Sequence, residues 1–342
     1  MPPSHQWQQH SALLLQFLSP PNLTSGVSSK LLQSASSSSP VRQKAPRLPE
    51  QATSEDGSTD TEQQAMSGLS EVSTSISIDD LSYTYPNGKK GLSHVSFDVP
   101  PGSRTLLIGS NGAGKSTLLR LVAGKTLARD GTILVGGVDP FKQGLEGVTY
   151  LGVEWVLNPI VRTDISVTEL LHSVGGTYYS TRRDELIAIL DIDVDWRMHA
   201  VSDGERRRVQ LAMGLVRPWT MLLLDEVTVD LDCLARWRFL DWLKRETETR
   251  GCTILYATHI TDGLASWPTH LVRMTLGEVR QCGPIAEFFP PETPSETAHV
   301  QDAVVGRNSS LLELVMRWQA EDLVERGPRP SAKRLQEVKT AN

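Results

Sequence analysis

From residue 76 onward, short apolar runs alternate with longer segments whose apolar positions recur at helical spacing. Apolar and polar residues alternate between Ile76 and Tyr85, ahead of the turn signal Pro86-Asn87-Gly88, which predicts the start of a β-hairpin. Strands alternating with helices indicate an α/β fold, a mainly parallel sheet with helices on its faces, present as one unit. Further strands are predicted at 104–108, 132–135, 148–153, 220–224, 253–257 and 270–274, and helices at 115–123, 166–174, 181–190, 205–217 and 232–249.

Residues 1–75 differ from the rest in composition. They are rich in Ser, Gln and Pro, and too polar to offset the entropy of an ordered chain, which predicts a disordered tail. The first 49 residues contain four basic residues and no acidic one, as organellar transit peptides do, but the first twenty hold no Arg or Lys. A plain disordered tail and a targeting segment both remain open.

Charge and composition exclude several classes of protein. The chain has 342 residues, with 34 basic against 40 acidic side chains; beyond residue 49 the balance is 30 against 40. No strong polycation is present, so direct nucleic-acid binding is not indicated. No apolar run reaches the ~18 residues of a membrane-spanning helix. Cys233, Cys252 and Cys282 lack disulfide-scaffold or zinc spacing, which favours a reducing compartment: a cytoplasmic location, with a nuclear one left open.

One glycine-rich segment matches the pattern G-x-x-x-x-G-K-[ST] and lies between a predicted strand and a predicted helix. Its backbone N–H groups can face phosphate oxygens, its lysine can reach the β- and γ-phosphates, and the serine hydroxyl can bind Mg²⁺. The alternative, an ordinary glycine-rich turn, does not explain the lysine and serine. The segment therefore predicts binding of ATP and Mg²⁺, and consists of Gly109, Ser110, Asn111, Gly112, Ala113, Gly114, Lys115, Ser116 and Thr117.

Two further segments supply the groups that phosphate hydrolysis needs. An apolar strand at 221–224 ends in Asp225 and Glu226, so Asp225 can hold Mg²⁺ while Glu226 acts on the attacking water. His259 follows the next predicted strand and can contact the γ-phosphate at the same sheet edge. Taken alone, an Asp-Glu pair is typical of a solvated turn and a single His of a structural role; the preceding phosphate loop favours the catalytic interpretation.

The segment 201–210 completes a pattern that resembles the ATP-binding cassette (ABC) ATPases. It precedes Asp225 and contains Ser202, Gly204 and Glu205, similar to the Leu-Ser-Gly-Gly-Gln signature of that family. Ser202 and Glu205 also form a capping box for the helix that follows, and both roles are compatible. The resemblance covers roughly residues 76–285. It implies the P-loop NTPase fold of these cassettes, with a RecA-like core sheet, an antiparallel β subdomain and a small α-helical subdomain.

The same resemblance implies further roles. Tyr85 would stack on adenine, with Tyr83 as second choice, and Asp232 would end a loop that communicates across a dimer. In this family ATP is held between the phosphate loop of one cassette and the signature of another. A chain with one cassette would therefore need a second copy of itself to hydrolyse ATP efficiently.

Several positions depart from the family pattern. Asp203 and Glu205 bring carboxylates near the γ-phosphate, where they would repel it and slow hydrolysis unless turned away or paired with one of the arginines at 206–208. Glu154 or Trp155 stands where transporter cassettes have a glutamine. These departures, with the loop 227–232, resemble a subgroup of soluble single-cassette proteins: a fungal factor associated with the carbon-catabolite-repression/Not complex, and relatives in plants and algae.

We therefore expect a tail at 1–75, a cassette at 76–290 and a C-terminal extension at 291–342. In the extension, Ser310 and Glu313 predict a helix start, and the segment 326–328 predicts its end. This helix could dock on its own cassette or bind a partner, and a solvated tail would follow it. Its apolar positions are Leu311, Leu314, Val315, Trp318 and Leu323.

Three functions fit the sequence. The first is a soluble ABC ATPase that regulates a multiprotein complex in transcription or mRNA metabolism. The second is the ATPase subunit of a split transporter whose membrane domain is a separate polypeptide. The third is a clamp in which ATP binding matters more than turnover; Lys115 and Glu226 argue against complete loss of hydrolysis.

Overall fold

The computed structural model describes residues 74–152, 159–289 and 300–327. The predicted N-terminal tail, the Glu154 or Trp155 position and the tail after residue 327 lie outside these ranges. No helix of the described part is long and apolar enough to cross a bilayer.

A six-stranded sheet forms the centre of the molecule, in the order β5-β6-β7-β3-β8-β9. Its first five strands in this order are parallel, and β9 pairs antiparallel with β8. The strands β3, β6 and β7 are buried along their whole length, as their continuous apolar runs predict. The bounds are β3 Arg104–Ile108, β5 Val148–Leu151, β6 Met221–Asp225, β7 Thr253–Ala257, β8 His270–Thr275 and β9 Glu278–Pro284.

A second, antiparallel sheet has three strands in the order β2-β1-β4. Here β1 is Ile76–Thr84, β2 is Lys90–Val99 and β4 is Asp130–Val135. The predicted hairpin is confirmed, since β1 pairs antiparallel with β2. The inward-facing residues of this sheet share one hydrophobic cluster with helix α1, Lys115–Val122, so α1 is packed between the two sheets.

Four helices pack in a second hydrophobic cluster on the other side of the central sheet. They are α2 Val167–Ser173, α3 Ser180–Leu190, α4 Asp203–Leu215 and α5 Cys233–Arg250. Trp219 and Trp242 are among the largest fully buried side chains of this cluster. Each of these helices lies within two residues of its predicted position, and side chains cap three of them: Ser166 on α2, Ser202 on α4 and Asp232 on α5.

Helix α6, Ile285–Phe288, leads towards the C-terminal helix α7, Val300–Arg326. The predicted start at Ser310 is wrong, because Ser310 lies inside α7. A serine caps a helix only where the backbone N–H groups lack intrahelical partners, and the helix continues through residues 300–309. The predicted end is confirmed at Arg326.

The structure also decides between the two interpretations of α7. Four of its five apolar positions, Leu311, Leu314, Val315 and Trp318, are buried in the helical-side cluster, so α7 docks on its own cassette. Leu323 is 57% exposed and takes no part in this core.

Strand β9 was not predicted, because its sequence EVRQCGP is mostly polar and carries no apolar alternation.

Candidate functional site

Three neighbouring strands end at one edge of the central sheet, and each leads into a segment of predicted chemistry. Strand β3 leads into the phosphate loop, β6 ends at Asp225 and β7 is followed by His259. Leu107 of β3 and Asp225 of β6 both pair with Ala257 of β7, so the three strands are in register at this edge. The carboxyl ends of parallel strands are where open α/β sheets bind ligands.

The loop 109–117 curls tightly between β3 and α1. Gly114 has φ +105°, and a Cβ there would lie 2.7 Å from Leu92 Cδ2. A side chain at Gly109 would collide with the Met274 carbonyl oxygen of β8. Both glycines are therefore required for the loop to pack between the two sheets, and the N-terminus of α1 is left at the start of the site.

Lys115 is the only cation that the loop contributes to the site. Its side chain is buried, and Nζ donates hydrogen bonds to the carbonyl oxygens of Gly109 at 2.8 Å and Ser110 at 3.4 Å. Burial lowers the pKa of Lys115, while the carboxylates of Glu226 and Asp225 act in the opposite direction. A buried ammonium held only by carbonyl oxygens and nearby carboxylates is suited to exchange these partners for phosphate oxygens.

Asp225 and Ser116 form a hydrogen-bonded pair of oxygen groups near Lys115. Ser116 Oγ donates to Asp225 Oδ1 at 2.9 Å, and the Tyr150 hydroxyl donates to Asp225 Oδ2 at 3.3 Å. Burial raises the pKa of Asp225, and these hydrogen bonds oppose the shift. Within the described residues, no three His, Cys, Asp or Glu side chains gather to hold a metal ion. The donor set fits Mg²⁺, which takes few protein oxygens and completes its shell with phosphates and water.

Glu226 and His259 face each other across the sheet edge. His259 Nδ1 lies 2.8 Å from Glu226 Oε2, and the His259 backbone N–H donates to the same oxygen at 3.3 Å. Glu226 has φ +54°, in the left-handed region that a residue with a side chain rarely adopts. Its backbone N–H donates to the Ala257 carbonyl oxygen at 3.0 Å, which holds this conformation. Outliers of this kind cluster at functional sites.

Both candidate adenine-stacking residues lie beside the loop. The Tyr85 hydroxyl is hydrogen-bonded to Thr117 Oγ1, and the Tyr83 and Tyr85 rings meet edge to face with centroids 5.2 Å apart. The two tyrosines are half-buried. The assignment of adenine stacking to Tyr85 over Tyr83 stays a prediction.

The segment with Ser202, Gly204 and Glu205 forms the N-terminus of α4. Ser202 Oγ accepts from the Glu205 backbone N–H, and Glu205 Oε2 accepts from the Ser202 backbone N–H at 2.7 Å, the reciprocal bonds of a capping box. These bonds from Ser202 hold the pKa of Glu205 below its ordinary value. The Glu205 carboxylate is thus turned back onto its own helix start.

Asp203 is the other acidic residue that departs from the family signature, and its carboxylate pairs with two arginines. Its Oδ1 accepts from Arg206 Nη1 at 2.7 Å and from Arg162 Nη2 at 3.0 Å. Of the two alternatives that the sequence left open, a carboxylate turned away or one paired with an arginine at 206–208, the structure has the pairing, with Arg206; the pairing with Arg162, in a different segment, has no signal in the sequence. Two guanidinium groups on one carboxylate oxygen offset the repulsion that Asp203 would exert on a phosphate.

Arginines after the signature connect it to other parts of the site, and these connections have no signal in the sequence pattern. Arg207 is buried; it donates to the Gly152 carbonyl oxygen at 3.0 Å and to Asp230 Oδ2 at 3.4 Å. Arg208 Nη2 donates to Asp232 Oδ2 at 2.6 Å, and Asp232 Oδ1 caps helix α5. Hydrogen bonds therefore connect helix α4 to the residue that follows β5 and to the loop 227–232. Within that loop, the contact that the structure shows for Asp232 besides Arg208 is the cap of α5.

A cleft of about 480 Å³ opens beside the loop. One side of it is formed by the loop start at 109–111 and by His259. The other side is formed by α7, which the sequence pattern did not place near the site. Among the described residues, none of the segment 201–205 lines this cleft. The structure thus brings together the phosphate loop, Asp225, Glu226 and His259 at one sheet edge, whereas the segment 201–205 forms the start of α4.

Comparison with known proteins identifies the relatives of the chain. Residues 92–229 match the family model described as "ABC transporter". "CCR4-associated factor 16" of Saccharomyces cerevisiae is 44% identical over 253 residues, which cover 67% of this chain and 88% of that protein. "ABC transporter I family member 20" of Arabidopsis thaliana is 40% identical, covering 72% of this chain and 76% of that protein.

The fold has solved counterparts. A dimeric ATP-binding cassette in a post-hydrolysis state, bound to ADP and Pi, superimposes with a TM-score of 0.54 over 61% of this chain and 98% of that chain. The two sequences are 17% identical, so this likeness concerns the fold alone. The expected cassette fold is confirmed.

Proposed function

The chain belongs to the ABC transporter family of ATP-binding cassette proteins, and from this premise we propose that it hydrolyses MgATP at a site completed by a second copy of itself. One observation carries the proposal: the phosphate loop, the Ser116–Asp225 pair and the Glu226–His259 pair meet at a single edge of the sheet. These are the groups that phosphoryl transfer to water requires.

The proposed reaction uses the residues in separate roles. Lys115 and the N–H groups of the loop bind the β- and γ-phosphates, and Ser116 and Asp225 hold Mg²⁺, which neutralises phosphate charge when bound. Glu226 accepts the proton of a water molecule whose oxygen attacks the γ-phosphorus, and the bond from the γ-phosphorus to the bridging oxygen of ADP breaks. His259, held against Glu226, contacts the γ-phosphate and orients the carboxylate.

The signature segment completes the site from a second chain. The N-terminus of α4 carries the positive end of the helix dipole, and its two carboxylates are turned to Ser202 or paired with arginines. The segment forms the start of α4 rather than the sheet edge that carries the phosphate loop, and a solved cassette of this fold is dimeric, which supports a second copy as the source of the signature. This arrangement supports Ser202, Gly204, Glu205 and Asp232 as residues that act across a homodimer interface.

Regulation of a protein assembly in transcription or mRNA metabolism is the finer part of the proposal. It is supported by the 44% identity to a yeast protein named for its association with CCR4. A second candidate, the ATPase subunit of a transporter with a separate membrane protein, is supported by the description of the matched family model. The two candidates differ in the kind of partner the chain retains.

Purification of the full-length Glu226→Gln chain with MgATP separates them. Slowed turnover should hold the nucleotide-bound state, and the retained partner can be identified by mass spectrometry. A soluble protein complex supports the first candidate, and an integral membrane protein that stimulates ATP turnover supports the second. The same capture with Lys115→Ala provides the control, because an ATP-dependent partner should then be lost.

ATP binding itself is tested by Lys115→Ala. We expect the loss of a buried ammonium that binds two phosphates to abolish measurable ATP affinity, which titration calorimetry can follow. The variant Lys142→Ala is the matched control, since Lys142 is exposed and, among the described residues, forms its ion pair with Asp139. Equal affinity of Lys115→Ala and the wild type would overturn the phosphate-loop assignment.

A further inference from the structure

Helix α7 forms the second wall of the cleft beside the phosphate loop. The loop side consists of Gly109, Ser110, Asn111 and His259; the helix side consists of Gln319, Ala320, Asp322, Leu323 and Arg326. At about 480 Å³ the cleft falls within the ~300–1,000 Å³ typical of small-molecule sites. The C-terminal turns of α7 thus border the same space as the start of the phosphate loop and His259, the residue proposed to contact the γ-phosphate.

The position of α7 is fixed by a buried ionic network on β8. Asp322, 4% exposed, accepts from Arg273 Nη2 at 3.1 Å and from Thr275 Oγ1 at 2.7 Å. The Arg273 guanidinium also lies over the Trp318 ring, 5.4 Å from its centroid, and pairs with Glu321 at 2.8 Å. A buried pair with this many partners holds one geometry, so the wall is rigid.

The same strand supports the phosphate loop. Strand β8 pairs with β3, and its Met274 carbonyl oxygen lies against Gly109. In the turn that follows β8, the backbone N–H of Gly277 donates to the Ala113 carbonyl oxygen at 3.0 Å. The loop and α7 therefore both contact strand β8, which fixes the distance between them. Any group on the inner side of α7 has a defined position relative to the loop.

Arg326, which lines the cleft from α7, carries a charge that no acidic side chain of the described residues neutralises. The Asp322 carboxylate is neutralised by Arg273, and Arg280 on β9 pairs with Glu325. Within the described part of the chain, the Arg326 side chain is exposed and has neither an ion pair nor a hydrogen bond. A guanidinium is suited to bidentate contact with phosphate oxygens. Arg326 and His259 line the same cleft, and His259 is the residue proposed to contact the γ-phosphate.

We propose that α7 is a wall of the nucleotide site and that Arg326 is a further phosphate-binding residue of this chain. The inference rests on the proposed ATP binding and adds a contact that comes from the C-terminal extension. It assigns the docking of α7 a role in nucleotide affinity beyond the stability of the core.

The test compares Arg326→Ala with Arg317→Ala in the full-length Glu226→Gln chain. Arg317 is an exposed arginine of the same helix and lines a different cleft, near Gln281 and Glu287. Affinities for MgATP and MgADP are measured by titration calorimetry. We expect Arg326→Ala to raise the Kd for ATP about tenfold or more, with a smaller change for ADP, as loss of a charge-assisted hydrogen bond predicts. Arg317→Ala should leave both values within about twofold.

A structural role of Arg326 at the end of the helix dipole would give a different result. It would lower the melting temperature without changing the Kd for ATP, and this outcome overturns the proposal. Arg326→Lys, which retains the charge, should recover part of the ATP affinity. If Arg326→Ala binds ATP as Arg317→Ala does, the proposal is wrong while ATP binding stands. If the Glu226→Gln chain itself binds no ATP, the proposed function fails first.

Discussion

Glu226 combines an unusual backbone with an unusual contact. Its left-handed conformation follows directly on the buried strand β6, and it aims the carboxylate at His259, 2.8 Å away. A strained conformation persists only where surrounding contacts fix it, here the backbone bond to Ala257 and the two contacts to His259. We infer that this strain positions the carboxylate for the attacking water.

Glu226→Gln tests the role of this carboxylate in turnover. The amide keeps the shape of the side chain but cannot accept the proton, so we expect phosphate release to fall at least about a hundredfold while ATP stays bound. Steady-state phosphate release and nucleotide titration measure the two effects. Glu146→Gln, at an exposed loop position, should change neither. Unchanged turnover in Glu226→Gln would exclude a general base at this position.

We expect the ionised form of the buried Asp225 carboxylate, which Mg²⁺ binding would use, to lower the unfolding free energy of the chain. Burial raises its pKa above the ordinary 3.8, so the folded chain binds the proton more tightly than the unfolded chain does. Stability from this group is therefore present at low pH and is lost as the pH rises through the raised pKa. We expect the unfolding free energy of the wild type to fall relative to Asp225→Asn as the pH rises above the ordinary aspartate pKa of 3.8.

Urea unfolding without nucleotide or Mg²⁺ measures this difference. Asp79→Asn, at an exposed position of β1, should run parallel to the wild type over the same range. Asp225→Asn should also lose Mg²⁺-dependent turnover. Parallel pH profiles for the wild type and Asp225→Asn would contradict the assignment of a raised pKa to this carboxylate.

At the scale of elements, local sequence signals predicted most of the helices and strands. They did not predict the elements that depend on long-range contacts. Continuous apolar runs located β3, β6 and β7, and capping residues located α2 and α4. The polar strand β9 and the early start of α7 were missed, because pairing with β8 and backbone continuity decide them rather than periodicity.

The site shows the same division. Glycine, lysine and carboxylate positions follow from motif spacing. The contacts of Arg162, Arg207 and Tyr150 join segments between 41 and 75 residues apart, and no spacing rule predicts them. Arg207 illustrates the reason: its burial is tolerated only because carbonyl and carboxylate oxygens from other elements satisfy it. Such partners are known only once the fold is known.

Two matched helix caps allow the role of the signature to be separated from its contribution to stability. Ser166 caps α2 and Ser202 caps α4, each in a capping box with a glutamate three residues on. We expect Ser166→Ala and Ser202→Ala each to lower the unfolding free energy by about 1 kcal/mol in urea denaturation. Only Ser202→Ala should also reduce ATP turnover. An equal loss of turnover in both variants would show that Ser202 matters only as a cap.

At the scale of the whole molecule, the chain carries one set of the groups proposed to bind nucleotide and one segment proposed as the signature. The phosphate loop, Asp225, Glu226 and His259 lie at one sheet edge, and the signature forms the start of α4, away from the cleft beside the loop. Helix α7 forms the opposite wall of that cleft. A second copy would supply what the single chain lacks, and two-fold symmetry would then create two equivalent sites.

The most direct test of this account mixes two defective chains. Lys115→Ala disables the phosphate loop, and Ser202→Glu places a further carboxylate in the signature, so each chain alone should show little turnover. In the mixed dimer, one site joins the intact loop of the second variant to the intact signature of the first. We expect an equal mixture to recover about a quarter of the wild-type turnover, because half of the dimers are mixed and each has one intact site. A mixture no more active than the two variants measured separately would contradict a site shared between two copies.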